Sequence, residues 1–253
     1  MKILLSPAKT LDFETPLPTD KHSLPRHMEQ SRAVNAVMRQ MDAPAIAKLM
    51  KLSEKLSQLN YDRCQKMEND CTPLNARPAM YAFAGDVYTG LDAYSIGIEN
   101  LERAQDSLRI LSGLYGMLRG LDLVQPYRLE MGTRIAVEDR KNLYDFWKET
   151  ITQELQQELM PDELVVNLAS VEYSKAVDLK DIDNTVITPI FKDRSKGQLK
   201  VISFFAKKAR GLMARYLIED NVQNLQGIED FEVDGYAFAK AETQHEHQPV
   251  FTR

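Results

Sequence analysis

Apolar positions along the chain change period repeatedly, and each change marks a predicted element. Ile3, Leu4 and Leu5 form an unbroken apolar run, so residues 2–5 read as a short buried strand ending at Ser6-Pro7. Pro16, Pro18 and Pro25 among polar neighbours make 12–25 an extended loop. Met28, Ala33, Val34, Val37, Met38 and Met41 give the apolar stripe of a helix over 24–41. Ile46, Leu49 and Met50 continue a helical period over 44–67, with Pro44 suited to a first turn and Ser53 and Ser57 able to cap. Two short helices joined by a tight hairpin near 51–55 fit that stretch, and so does one continuous helix. Gly85-Asp86 and Thr89-Gly90 read as turns around Val87-Tyr88, which makes Asp86 a turn aspartate before it is a catalytic one.

A helix over 98–108 leads into a buried strand at 108–111 and then the most glycine-punctuated part of the chain. Tyr127, Leu129 and Met131 alternate against Arg128 and Glu130, as on a strand. Residues 143–159 form a helix with Trp147 in its core face, and 165–170 another buried strand. Pro189 interrupts a strand over 186–191 and points to a sheet edge. Val201, Ile202, Phe204 and Phe205 have strand character, after which Ala209, Leu212, Met213 and Tyr216 take the i, i+3, i+4, i+7 spacing of a helix. A last strand over 231–238 carries a turn or bulge at Gly235. Interleaved strands and helices without repeat or linker predict one α+β domain with a mixed sheet flanked by helices, 1–240 as its core and 241–253 as a C-terminal tail.

Charge sharpens this outline. The chain has 253 residues, 32 Lys and Arg against 37 Asp and Glu, and a net charge of −5. Between 190 and 216, however, Lys192, Arg194, Lys196, Lys200, Lys207, Lys208, Arg210 and Arg215 face Asp193 alone, eight minus one or +7. On the helical wheel Lys207, Lys208, Arg210 and Arg215 lie opposite the apolar stripe, with Gly211 and Ala214 between them. Two small residues on a basic face leave a trough where a phosphate could approach the backbone, so the segment is expected to focus a field on an anion. A solvated surface helix is the plainer reading.

Candidate chemistry adds three groups. Ser6 and Lys9 follow the first strand, where α/β sheets often place functional loops. Ser112, Gly113 and Tyr115 form a strand-to-turn junction suited to phosphate or a base, although neither nucleotide-binding glycine motif is present. Arg128 and Glu130 read as an ion pair, or as an arginine held for a ligand. Lys51, Ser53 and Lys55 offer a second basic hairpin, without the glycines that let a backbone touch phosphate. Cys64 and Cys71 have no metal-ligand spacing and are expected to be reduced thiols, and His245 and His247 are a weak metal signal. No cofactor motif, membrane-spanning run or signal-peptide pattern occurs, and a cytoplasmic location is expected.

The strings MKILLSPAKTLDFETPLP, FAGDVYTGLDA, LRILSGLYGMLRGLD, PYRLEMGTR, NLYDFW, VVNLASVEYSKAV and AKKARGLMARY together resemble the YaaA family of bacterial peroxide-stress-resistance proteins, from residue 1 to about 238. The resemblance implies a single-domain cytosolic protein induced by hydrogen peroxide that limits free iron and the oxidative damage iron causes. It also implies a positively charged cleft, a helix-hairpin-helix-like element and DNA binding. Lys207, Lys208 and Arg210 match the family's AKKARG string, whereas residues 51–55 depart from the hairpin motif by lacking its glycines. The expectation is a DNA-binding protein of the peroxide response that reads shape rather than sequence, with contacts from Lys192, Lys200, Lys207, Lys208, Arg210, Gly211 and Arg215. The alternative is an enzyme acting on a nucleotide, base or damaged nucleic acid at the strand ends. Direct iron storage is disfavoured because the four histidines and two cysteines show no ligand spacing.

Overall fold

The N-terminal apolar run becomes the middle of the main sheet because both of its faces are covered. In the computed structural model, which describes residues 1–253, strand β1 (Lys2–Leu5) has Ile3, Leu4 and Leu5 fully buried. It pairs in parallel with β2 (Leu108–Ser112) on one side, Ile3 opposite Leu108. On its other side it pairs in parallel with β4 (Val165–Asn167), Ile3 opposite Val166. Strand β3 (Gly116–Arg119) adds antiparallel to β2, and β5 (Val186–Ile187) parallel to β4, giving the order β3-β2-β1-β4-β5. The chain thus leaves β1 toward β2 and later returns on the opposite side as β4. That reversal opens a crevice at the carboxyl ends of parallel strands.

Pro189 ends this sheet as expected, and the chain passes at once into a second one. Strands β6 (Ile190–Ser195), β7 (Gln198–Lys200), β8 (Ala237–Phe238) and β9 (Val250–Thr252) take the order β7-β6-β9-β8. Residues 241–253 are therefore no appended tail throughout. Phe251 is fully buried, pairs opposite Phe191 and stacks on it at 5.5 Å, so the C-terminal strand lies inside the second sheet. Only Ala237–Phe238 of the predicted strand over 231–238 is a strand, because Asp234 and Gly235 turn with positive φ.

Seven α-helices of six residues or more cover the sheets, α1 (Met28–Arg39), α2 (Ala43–Met50), α3 (Glu54–Lys66), α4 (Asp86–Leu91), α5 (Leu101–Ser107), α6 (Leu143–Glu158) and α7 (Ser203–Glu219), with three shorter ones at Ala79–Ala82, Val171–Ser174 and Leu225–Glu229. Helices α2 and α3 are separate. Asp42 accepts from the Ala45 N–H at 2.8 Å to start α2, and Lys51 ends it in a left-handed conformation at φ 53°. Ser53 then accepts from Leu56 N–H to start α3. Trp147 of α6 is fully buried and donates its indole N–H to the Gly113 carbonyl at 3.0 Å. The residues after β2 form a hairpin turn, and Gly116 at φ 73° fits there because a Cβ would strike the Trp147 ring. Two further expectations change. Helix α7 begins at Ser203, since buried Ala206, Ala209 and Met213 extend its period back past the aromatic pair. Thr89 and Gly90 are helical, within α4. No helix is long and apolar enough to cross a membrane.

Candidate functional site

Ser6 ends β1 and Ser170 lies three residues past β4, and the two carboxyl-end loops are tied together. The Ser170 N–H donates to Ser6 Oγ at 2.9 Å, and Ser6 Oγ donates to Ser170 Oγ at 3.3 Å. Tyr88 of α4 donates its hydroxyl to the Ser6 carbonyl at 3.1 Å, fixing the loop from the other side. Past this loop Thr10–Leu11 pairs with Phe83–Ala84, which brings Gly85 against Ala8. Gly85 has φ 152°, a backbone conformation that side chains rarely adopt, and it turns the chain sharply into α4. These segments enclose a cavity of about 380 Å³, within the range of small-molecule sites. Its wall includes Ser6, Lys9, Asp86, Glu130, Lys207 and Arg210, contributed by four separate parts of the chain.

Glu130 is the charged hub. Its Oε1 accepts from Arg128 Nη2 at 3.1 Å and from Lys9 Nζ at 3.1 Å, while Oε2 is buried without a hydrogen-bond partner. Burial acts to raise the Glu130 carboxyl, but the bonds and charges of Arg128 and Lys9 outweigh it and hold the group below its ordinary value. Glu130 is therefore an ionised acceptor near neutral pH. Arg128 itself stands behind Glu130 and does not line the cavity. Across the cavity, Lys207 and Arg210 reach in from α7 without any carboxylate partner. Burial lowers the Arg210 guanidinium below its usual value, with no compensating neighbour. Two cations without carboxylate partners, Lys207 exposed at the rim and Arg210 half-buried, are suited to receive an anion.

The other basic residues are accounted for differently. Lys192 pairs with Glu242 at 3.4 Å and Lys208 with Asp234 at 3.2 Å. Arg215 bonds Glu219 at 2.7 Å and the Asp92 carbonyl at 3.0 Å, closing the carboxyl end of α4. Gly211 and Ala214 form no open trough, since both are buried. A Cβ at Gly211 would collide with the Val87 carbonyl oxygen and lie 2.7 Å from Leu91 N. A Cβ at Gly90 would collide with the Lys208 carbonyl oxygen and lie 2.8 Å from Leu212 N. The glycines let α4 and α7 cross backbone to backbone, and that crossing carries Lys207 and Arg210 to the cavity rim. Lys200, Arg194 and Lys196 remain without carboxylate partners on or beside the β6–β7 hairpin.

Several proposed pocket residues belong to the core instead. Ser112 is fully buried, bonded to the Tyr127 hydroxyl at 2.7 Å and accepting from Tyr115 N–H at 2.9 Å. Tyr115 gives its hydroxyl to Gln125 N–H as acceptor, and Gly113 sits where a Cβ would press on the Leu129 carbonyl at 2.5 Å. None of these three lines the cavity, because β2 runs on into a hairpin packed under the 125–131 segment. Tyr127, Leu129 and Met131 do alternate inward against Arg128 and Glu130, though that segment is extended without strand pairing. Lys51, Ser53 and Lys55 also lie outside the cavity wall, the first two serving as helix caps. Conversely, Thr10, Ser170, Glu172 and Tyr173 line it without having been singled out as site residues. The small polar end of the 165–170 run is the only signal for Ser170 and the residues just after it, and Thr10 has only its place beside Lys9.

Both cysteines are buried, and burial pushes the Cys64 thiol up to about 11 and raises Cys71 as well. A protonated buried thiol is a poor target for peroxide. Mass spectrometry of the folded protein after iodoacetamide or dilute hydrogen peroxide should find both thiols unmodified, and rapid labelling only after denaturation. Labelling of Cys64 in the folded state would show an opening of the α1–α3 packing.

Fold and site together define an α+β protein with a mixed-charge cavity at the carboxyl ends of parallel strands, two of its lining cations supplied by one helix. The chain belongs to the family described as peroxide stress protein YaaA, whose model matches residues 1–242. It is similar to a UPF0246 protein of Flavobacterium johnsoniae, 52% identical over 253 residues and covering all of both chains. A UPF0246 protein of Shewanella woodyi is 51% identical over 255 residues, covering 100% of this chain and 99% of its own. That of Flavobacterium psychrophilum is 48% identical over the full length of both.

Proposed function

We propose that this protein acts in the peroxide response by binding nucleic acid, with one phosphate-bearing nucleotide unit held in the cavity between β1, β4 and α7. The observation that carries this reading is the pair Lys207 and Arg210, cations without carboxylate partners on the wall of a partly open cavity. In this arrangement the two cations receive the phosphate. The free Oε2 of Glu130 accepts from an N–H or O–H of the base or sugar once Lys9, whose side chain is 65% exposed, moves aside. Lys196 and Lys200 supply further phosphate contacts that carry no sequence information. Ionised Glu130 and the neighbouring Ser6–Ser170 pair also suit chemistry on a nucleotide or damaged base, with the carboxylate as proton acceptor. Protection of nucleic acid against iron-dependent damage would be the physiological result.

Titration by fluorescence anisotropy tests the reading. Affinity for an oligonucleotide should fall with salt by roughly 0.7 to 0.9 log units per log unit for each phosphate contact. Lys207→Glu, at an exposed position, should leave the melting temperature unchanged. It should weaken both a nucleoside monophosphate and an oligonucleotide by about tenfold or more, in line with a charge-assisted contact of 1.5–3 kcal/mol. Binding that ignores both salt and Lys207 would refute the proposal.

A further inference from the structure

We propose that Phe204 is a stacking platform for a base adjoining the nucleotide in the cavity, which makes single-stranded nucleic acid the preferred ligand. This rests on the nucleotide reading of the cavity. An isolated exposed apolar residue needs no explanation. Here two occur together, Val201 at 55% and Phe204 at 56% exposed, at the entry to α7. They are bounded in sequence by Lys200 and Lys207, neither of which has a carboxylate partner.

The ring is held as a platform would need to be. Phe204 packs on Phe205 with centroids 4.0 Å apart. Phe205 in turn lies under the Arg253 guanidinium at 4.5 Å, and Arg253 is anchored by Asp193 at 2.9 Å and Asp234 at 2.8 Å. Phe204, Lys207 and Arg210 follow one another at i, i+3 and i+6, about 9 Å along the helix axis and on one side of it. An aromatic face one turn from a phosphate-holding lysine is the pairing that single strands use, a base stacking while the backbone is neutralised. In a duplex both faces of each base are already stacked, so Phe204 would gain nothing from one. An acidic protein partner would use the cations but not the flat ring.

The experiment compares the wild type with Phe204→Ala and Phe204→Trp, using a nucleoside monophosphate, a single-stranded oligonucleotide carrying 2-aminopurine, and its duplex. The expected result is that Phe204→Ala weakens single-strand binding by about tenfold, within the range for one base–aromatic stack. Monophosphate affinity should not move, Phe204→Trp should restore binding, and 2-aminopurine quenching should disappear only in the alanine variant. Equal single-strand affinity of wild type and Phe204→Ala would overturn the inference. So would an equal loss of monophosphate affinity, which would mark a distorted helix start, or a change in oligomeric state with nucleic-acid binding intact. If the wild type binds monophosphate and gains nothing from the longer strand, the platform fails and the cavity reading stands. If it binds neither, both fail.

Discussion

Gly211→Ala is expected to destabilise the protein by about 3 kcal/mol or more, although alanine is the better helix former by about 1 kcal/mol. The added methyl would meet the Val87 carbonyl and Leu91 N of the facing helix, both backbone, so no rotamer change relieves it. Because Gly90 meets α7 just as closely, the crossing cannot widen at one end alone. At roughly 2–4 °C per kcal/mol for a chain of this size, the melting temperature should fall by about 6–12 °C. Loss of the crossing would also withdraw Lys207 and Arg210 from the cavity, so nucleotide binding should fall with stability. Thermal unfolding followed by circular dichroism, with a binding titration on the still-folded variant, checks both. A variant as stable as the wild type would mean that α4 and α7 do not approach this closely.

The second large effect runs the opposite way on stability. Arg210→Met should weaken nucleotide or phosphate binding by about a hundredfold while the melting temperature holds or rises. A desolvated charge without a partner costs stability in the free protein, and an apolar side chain of similar length removes that cost. With ligand bound, the same charge is neutralised, and truncating one member of a desolvated charge pair typically costs 2–5 kcal/mol of binding. Arg210→Lys should recover only part of the affinity, since an ammonium lacks the planar fork that meets two phosphate oxygens. Isothermal titration calorimetry and a melting curve on the same samples separate the outcomes. Unchanged affinity in Arg210→Met would place the ligand elsewhere.

Much of the fold was legible in the residues. The runs at 2–5, 108–111 and 165–170 mark the three buried parallel strands at the sheet centre because strands covered on both faces are mostly apolar, and buried Arg109 within the second is paired with Glu158 at 2.7 Å. Pro44, by its fixed φ in a first turn, and Ser53, by accepting from the Leu56 N–H, mark the starts of two helices locally. Pro189 ended a strand because it has no N–H to offer a neighbour. Ser6 and Lys9 were legible as site candidates for the same local reason, their place at a strand's carboxyl end. The charge excess between 190 and 216 was also plain from the sequence.

Which of those charges is available was decided elsewhere. Asp234, Asp92 and Glu242 neutralise or anchor Lys208, Arg215 and Lys192, and all three come from outside the basic segment. Gly211 opens the basic face on a helical wheel because the wheel shows one helix alone, whereas in the fold the helix of Gly90 closes that face from 121 residues away in the chain. Ser112 and Tyr115 had the composition of a ligand loop, yet long-range packing under Tyr127 and Gln125 consumed their hydrogen bonds. Periodicity and capping are written locally, in neighbours a turn or a strand pair apart. Burial and charge pairing depend on segments brought together only by folding, so the cavity and its two free cations belong to the tertiary structure alone.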